Sequence, residues 1–127
     1  MNRTRIGGAL LAVALPFAFT GVAGASAPTS ITLTVGAPER GGATVELECH
    51  PPGGSHPNAW SACVALHRAH GDFDALADQQ EPASCTMEYR PVVAQAHGTW
   101  RGKPVEWTRE FGNDCTLETA TGSVFRF

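Results

Sequence analysis

Residues 85–91 combine a cysteine, a methionine and a proline in an order that would hold the chain extended. A disulfide at Cys85 would tie one end of this segment to the body of the fold, and Pro91 disfavours helical backbone at the residue before it. Thr86 is β-branched and stiff at its first side-chain torsion. The segment displays Met87, an unbranched apolar side chain. Such a segment fits a protease active site as a substrate does, and if held rigidly enough it would block that site.

Two pairs of polar residues invite a catalytic or metal-binding interpretation, but neither is complete. His67 and His70 are three apart on a predicted helix, and no carboxylate at helical spacing completes a metal site. Ser55 and His56 are sequence neighbours without the strand–turn–helix context of a hydrolase nucleophile. The cysteines lack the C-x-x-C spacing typical of zinc ligands. We therefore expect neither an enzyme nor a bound metal or cofactor.

The chain begins with a pattern typical of a secretory signal peptide. Two arginines precede an apolar run, residues 6–19, which is shorter than the about 20 residues of a membrane-spanning helix. Cleavage after Ala25 is favoured over cleavage after Ala27, because a proline follows Ala27 and would hinder the peptidase. We expect a signal peptide at 1–25, a mature domain at 26–127, secretion to the extracellular space and no membrane association.

The charge balance argues against a nucleic-acid partner. The chain has 9 lysine and arginine residues against 12 aspartate and glutamate residues, and two of the arginines lie in the leader. No basic stripe remains in the mature part to hold phosphate groups. The size of that part is typical of a single domain.

Four cysteines in a small secreted chain predict two disulfides. Counting alone leaves three possible pairings, of which proximity in sequence favours Cys49–Cys63 and Cys85–Cys115. In a chain-entropy description each bridge would stabilise the fold by roughly 3–4 kcal/mol.

Alternating apolar and polar residues are the main secondary-structure signal. This period of two is typical of antiparallel strands that are covered on one face only. Three segments show it, 31–35, 43–49 and 105–111, and two further strands are expected at 92–100 and 123–127. The sequence therefore predicts an α+β fold, in which a five-stranded antiparallel sheet carries two helices on one face, with two disulfides.

Two helices are predicted between the second strand and the Cys85 segment. The first has Ser55 or His56 as its cap, and Gly71 ends it. A shorter helix follows over residues 72–77. The side chains expected to face the sheet from the first helix are Trp60, Cys63, Val64 and His67.

Seven short motifs follow one another between Ile31 and Phe127. They are Leu33-Thr34-Val35-Gly36, His56-Pro57, Ser61-Ala62-Cys63, Cys85-x-Met87-x-Tyr89-x-Pro91-Val92, Trp100-x-Gly102-Lys103, Phe111-x-Asn113-x-Cys115 and Gly122-Ser123-Val124-Phe125. Each motif is weak by itself. In this order and spacing, with all four cysteines in register, the chain resembles the Streptomyces subtilisin inhibitor family.

This resemblance implies a secreted, standard-mechanism inhibitor of serine endopeptidases that is usually a homodimer. The expected targets are proteases of the subtilisin type, with the chymotrypsin type as a second candidate. It implies the Cys49–Cys63 and Cys85–Cys115 pairing and a reactive bond between Met87 and Glu88, with Met87 entering the specificity pocket of the protease. It also implies that Asn113 supports the loop. The implied binding loop consists of Cys85, Thr86, Met87, Glu88, Tyr89 and Arg90.

Two positions depart from the family pattern. Thr86 stands where proline is common, and Glu88 stands where apolar or small residues are common. In an extended loop Glu88 and Arg90 point to the same side, so we expect them to pair and stiffen the loop.

Two other functions would leave the chain without inhibitory activity. An extracellular binding module would use Trp100, expected to be open near the end of a strand, together with the sheet face. A substrate for protein cross-linking would use Gln79, Gln80 or Lys103. Inhibition of subtilisin by the purified mature protein would distinguish these functions from the first.

Overall fold

The alternating segments form one antiparallel sheet in the computed structural model, which describes Gly8 and residues 12–17 and 27–127. The strands are β1 (Thr29–Ala37), β2 (Gly41–Cys49), β3 (Gly53–Gly54), β4 (Val92–Trp100) and β5 (Lys103–Phe111). Their order in the sheet is β3-β2-β1-β4-β5, so β1 is the central strand and pairs with both β2 and β4. The predicted α+β fold with a five-stranded antiparallel sheet is confirmed.

One face of the sheet is covered by helices. The helical elements are α1 (Ala59–Arg68), α2 (Asp114–Thr121) and two 3-10 helices, Asp74–Gln79 and Gly122–Phe125. Leu66 of α1 and Leu117 of α2 belong to the same buried cluster as Ile31 and Leu33 of β1. Fully burying a side chain of this size contributes about 1.5–3 kcal/mol relative to leaving it exposed. This common core fixes the positions of the helices relative to the strands.

The two predicted disulfides are present. Cys49 at the end of β2 is bonded to Cys63 in α1, and Cys85 is bonded to Cys115 in the first turn of α2. The Cα atoms are 5.7 Å apart in each bridge, within the usual range for disulfides. The first bridge fastens α1 to the sheet, and the second fastens the segment that precedes β4 to α2.

The predicted C-terminal strand is wrong. Residues 122–125 form a 3-10 helix, and both Val124 and Phe125 are buried. A strand with one covered face would bury every second residue, whereas this segment buries two successive residues in the core. The fifth strand is instead β3, a pair of glycines that hydrogen-bonds to β2 and carries no side chains from which a pattern is read.

The helix predictions were partly wrong. The shorter helix predicted at 72–77 is a 3-10 helix over Asp74–Gln79, and α2 was not predicted. The face of α1 was misassigned as well, except for Cys63, which is buried. Ala62, Ala65 and Leu66 are buried, whereas Trp60 is 72% exposed. Small alanine side chains let α1 approach the sheet closely, which leaves the bulky indole outside.

Trp100 was expected to be open, but it is buried. It packs beside Gly71, where an added Cβ would collide with the indole ring, so the glycine makes room for it. Gly71 was predicted to end the helix, but α1 ends at Arg68 and its C-cap is Ala69. Gly71 has a φ of +77°, and its N–H donates to the Leu66 carbonyl just beyond the helix end.

The predicted signal peptide, 1–25, lies largely outside the described residues. Within the part of the chain that is described, no helix is long and apolar enough to cross a membrane.

Ser55 or His56 was predicted to cap α1, but the N-cap is Asn58. His56 is buried. Its Nδ1 accepts the Asn58 backbone N–H at 2.9 Å, and its Nε2 lies 2.9 Å from the Val124 carbonyl. A carbonyl only accepts, so Nε2 carries the proton and donates. One neutral imidazole therefore joins the start of α1 to the C-terminal 3-10 helix.

We predict that His56→Ala lowers the free energy of unfolding by about 1–3 kcal/mol, because it leaves the buried Val124 carbonyl without its donor and removes the acceptor of the Asn58 N–H. Urea denaturation followed by circular dichroism measures this change. His97→Ala is the control, since His97 lies on the exposed face of the sheet with Glu106, and we expect a change of about 0.5 kcal/mol or less. Equal effects of both substitutions would contradict the structural role of His56.

Candidate functional site

The segment between the 3-10 helix and β4 has no regular secondary structure and presents its central side chain to solvent. Met87 is 97% exposed and Tyr89 is 72% exposed. Methionine often fills gaps in a hydrophobic core, but Met87 does not. A side chain this exposed next to main-chain groups is available to enter the cleft of another protein.

Asn113 holds the carbonyl groups on both sides of Met87. Its Nδ2 donates to the Thr86 carbonyl oxygen at 3.0 Å and to the Glu88 carbonyl oxygen at 2.9 Å. Each such hydrogen bond stabilises by about 0.5–1.5 kcal/mol. Because both bonds come from one side chain, the backbone at Thr86 and the backbone at Glu88 are held relative to each other.

The start of α2 fixes the orientation of this amide. Asn113 is the N-cap of the helix, and its Oδ1 accepts the Thr116 backbone N–H at 2.9 Å. The hydroxyl of Thr116 completes a capping box with the Asn113 backbone N–H. A backbone N–H only donates, so the amide oxygen faces the helix and the amide nitrogen faces the loop. Helix capping and loop support are two functions of one side chain.

Three further contacts join the loop to the segment 110–115. The Cys85–Cys115 disulfide lies before Met87, and after it the Arg90 N–H donates to the Gly112 carbonyl at 2.8 Å. The Tyr89 hydroxyl donates to Glu110 Oε1 at 3.2 Å. The chain is therefore anchored on both sides of the Met87–Glu88 bond to one short stretch of backbone.

The expected pair between Glu88 and Arg90 is present. Arg90 Nε lies 4.0 Å from Glu88 Oε1, and both side chains are more than half exposed. An exposed pair of this length contributes about 1 kcal/mol or less, so it is a minor source of loop rigidity beside Asn113 and the disulfide.

Residues 27–113 match the sequence model of the family described as subtilisin inhibitor-like. The chain belongs to the subtilisin inhibitor-like family. The resemblance noted from the sequence motifs is thereby confirmed.

Members of the family with recorded names are similar over most of the chain. The subtilase-type protease inhibitor of Streptomyces fradiae is 43% identical over 110 residues, which cover 80% of this chain and 75% of the relative. Subtilisin inhibitor-like protein 2 of Streptomyces rochei is 42% identical over 107 residues, covering 80% of this chain and 94% of the relative. These relatives are named as inhibitors, in agreement with the expectation that this subtilisin inhibitor-like chain is not an enzyme.

A solved structure shares the fold. A chain in the crystal structure of Streptomyces caespitosus sermetstatin in complex with Bacillus licheniformis subtilisin matches with a TM-score of 0.68 and 28% identity. The match covers 79% of this chain and 99% of that chain.

Asn113 was expected to support the loop of this subtilisin inhibitor-like chain, but sequence reasoning missed two contacts: the capping box at Asn113 and the hydrogen bond from Tyr89 to Glu110. Asn113 and Thr116 have the spacing of a capping box, and Asp114 provides the acidic first turn of a helix, so this signal was available. The contact between Tyr89 and Glu110 had no sequence signal, because it depends on how far β5 extends beside the loop.

The hydrogen bond from Tyr89 to Glu110, with the negative charge of that carboxylate, raises the pKa of Tyr89 above its usual value of 10.0. A raised pKa means that the folded state favours the neutral phenol. The resulting stabilisation is present below the unfolded-state pKa and is lost as the pH rises through the folded-state pKa.

We predict that Glu110→Gln lowers the titration midpoint of Tyr89 towards 10.0. Absorbance at alkaline pH measures this midpoint cleanly, because Tyr89 is the single tyrosine of the chain. Glu106→Gln removes a carboxylate that pairs with His97 instead, and the midpoint should stay at its wild-type value. A midpoint that Glu110→Gln leaves unchanged would show that the contact does not form in solution.

Proposed function

We propose that this chain is a standard-mechanism inhibitor of serine endopeptidases of the subtilisin type, with Met87–Glu88 as its reactive bond. Its relatives are named as inhibitors of subtilases, and its structural neighbour was solved with subtilisin. The observation that carries the proposal is the single Asn113 amide that holds the carbonyl groups on both sides of Met87.

The loop enters the protease cleft as a substrate would. The exposed Met87 side chain occupies the specificity pocket, and its carbonyl oxygen lies in the oxyanion hole. The protease serine attacks the Met87 carbonyl carbon, the bond to the Glu88 nitrogen breaks, and a proton passes to the leaving amine. An ordinary substrate would now release its new N-terminus.

Here the new amine stays beside the acyl group. Asn113 holds the Glu88 carbonyl, Glu110 holds the Tyr89 hydroxyl and Gly112 holds the Arg90 N–H. The acyl side is held through the Cys85–Cys115 bridge. The amine therefore attacks the acyl-enzyme faster than water does, and the peptide bond is restored.

Tight binding follows from preorganisation. Ordering one backbone residue costs about 1–2 kcal/mol, and a flexible peptide loses this freedom when it enters a cleft. A loop that is already anchored loses less, so more of the contact energy appears as affinity. Interfaces between proteases and inhibitors bury about 1,600 Å² in total, which suits a protruding loop of this size.

We also propose that residues 1–25 are a signal peptide and that the mature domain, 26–127, is secreted. Two disulfides in a domain of this size are typical of an oxidising compartment. N-terminal sequencing of protein from the culture medium should begin at Ser26. Retention of the uncleaved chain inside the cell would contradict secretion.

Homodimer formation is a further proposal that depends on the family resemblance. Sedimentation equilibrium of the mature protein should give twice the monomer mass at micromolar concentration. A monomer mass under these conditions would contradict the proposal.

The rival functions have less support from the structure. Trp100 is buried and is not available to a partner. Gln79 Nε2 donates to the Ala65 carbonyl, and Gln80 is half-buried beside Gly122, so neither amide is free for cross-linking.

We predict stoichiometric inhibition of subtilisin by the mature protein, with slow appearance of a single cut at Met87–Glu88. Met87→Lys should gain inhibition of trypsin, because the trypsin pocket holds a carboxylate that prefers a cation. Titration of protease activity and mass spectrometry measure both results. Cleavage at many sites without loss of protease activity, or a trypsin profile unchanged by Met87→Lys, would contradict the assignment.

The two functions of Asn113 are separated by Asn113→Asp. Aspartate keeps an oxygen for the Thr116 N–H and is a good helix cap, but it removes the donor to the loop carbonyls. We predict a melting temperature close to the wild-type value and a rise of about tenfold in the inhibition constant and in the rate of cleavage, since two hydrogen bonds are lost.

Thr116→Ala is the matched control, because it weakens the capping box and leaves the amide nitrogen in place. It should lower the melting temperature and leave the inhibition constant nearly unchanged while the protein is folded. The support role of Asn113 would be refuted if Asn113→Asp inhibits and resists cleavage as the wild type does.

A further inference from the structure

A groove of about 350 Å³ runs along the exposed side of α1 and shares no residue with the loop 85–90. Its apolar side is formed by Trp60, Pro52 and Val64. Trp60 is 72% exposed, although tryptophan is among the side chains that gain most from burial. An exposed indole beside other apolar side chains is typical of a surface that has a partner.

Arg101 is held rigidly at the edge of this groove. Its Nη2 lies 3.1 Å from His67 Nδ1 and 3.4 Å from His50 Nε2. A guanidinium only donates, so both ring nitrogens accept. The guanidinium carbon also lies 5.8 Å from the centre of the Trp100 ring. Neutral neighbours therefore orient the cation without neutralising it.

The positive charge in the groove has no acidic partner. Four arginines elsewhere in the described residues lie within 4.0 Å of a carboxylate: Arg40, Arg90, Arg109 and Arg126. Arg68 and Arg101 both line the groove, and neither forms a salt bridge with any residue that the structure describes. No carboxylate is among the lining residues. In a chain with a net charge of −3, this local excess of cations is complementary to an anion.

We propose that this groove binds a small aromatic carboxylate. The aromatic ring stacks on the Trp60 indole and contacts Val64 and Pro52. The carboxylate accepts from the Arg68 guanidinium, whose fork geometry suits a carboxylate, and from the N–H groups of Arg101 that do not contact the histidines. The groove volume lies within the usual range for small-ligand sites.

The test uses 2-naphthoate and its neutral analogue 2-naphthamide as probes, with binding to the mature protein measured by isothermal titration calorimetry. We expect 2-naphthoate to bind at least about tenfold more tightly than the amide, because charge-assisted hydrogen bonds are lost with the amide. Trp60→Ala and Arg101→Gln should each weaken 2-naphthoate binding by a similar factor.

Arg126→Gln is the matched control, because Arg126 is an exposed cation that pairs with Glu118 outside the groove. It should leave the affinity for 2-naphthoate unchanged, and melting curves should show that every variant is folded. The proposal is overturned by equal binding of the two probes, by no binding of 2-naphthoate at millimolar concentration, or by wild-type affinity in Trp60→Ala and Arg101→Gln. Conversion of a dimer to a monomer by Trp60→Ala would also overturn it, since the groove would then be an interface between copies of this chain.

Discussion

The amide of Asn113 is shared between the first turn of α2 and the exposed loop, and the loop conformation depends on this sharing. Its oxygen accepts from the Thr116 N–H, and its nitrogen donates to the Thr86 and Glu88 carbonyls. Neither the bond of the oxygen nor those of the nitrogen would fix the amide as well alone, because an amide held at one end can rotate. Once the helix has fixed the oxygen, the nitrogen is available only to the loop.

The rest of the fold positions this one side chain. Asn113 lies two residues after β5, which pairs with β4, and β4 pairs with the central strand β1. Leu117 in α2 belongs to the core that the sheet and α1 share. The loop is anchored to the same stretch of chain through Cys115, Gly112 and Glu110. The hydrogen bonds among these contacts are individually weak, but together with the covalent bridge they hold neighbouring loop residues, so the loop loses its freedom as a unit.

Much of the fold was predictable because it depends on local patterns. Alternation identified three of the strands, and motif order with the four cysteines identified the family. The errors occurred where packing outweighs pattern. Trp60 is outside because alanines form the contact face of α1, and Trp100 is inside because Gly71 leaves space for its ring.

The residues of the candidate site could be predicted from the sequence, but the hydrogen bonds that hold them could not. The loop residues and Asn113 came from the family motifs, whereas the hydrogen bonds that fix the amide depend on a helix that was not predicted. The contact between Tyr89 and Glu110 joins side chains 21 positions apart, and its existence is decided by the three-dimensional course of β5. Sequence patterns show which residues share one face of a strand or helix. They do not show as readily which side chains from distant parts of the chain come into contact.

The central claim is that both sides of the Met87–Glu88 bond remain in place after cleavage. The most direct measurement starts from purified protein that is already cut at this bond and adds a catalytic amount of subtilisin at mildly acidic pH. Mass spectrometry then follows the loss of one water molecule as the peptide bond forms again. We expect a large fraction of the cut protein to be rejoined, and the same mixture to be reached from intact protein. If the cut form stays cut while the protease remains active, the loop does not hold its ends together, and the proposed mechanism is wrong.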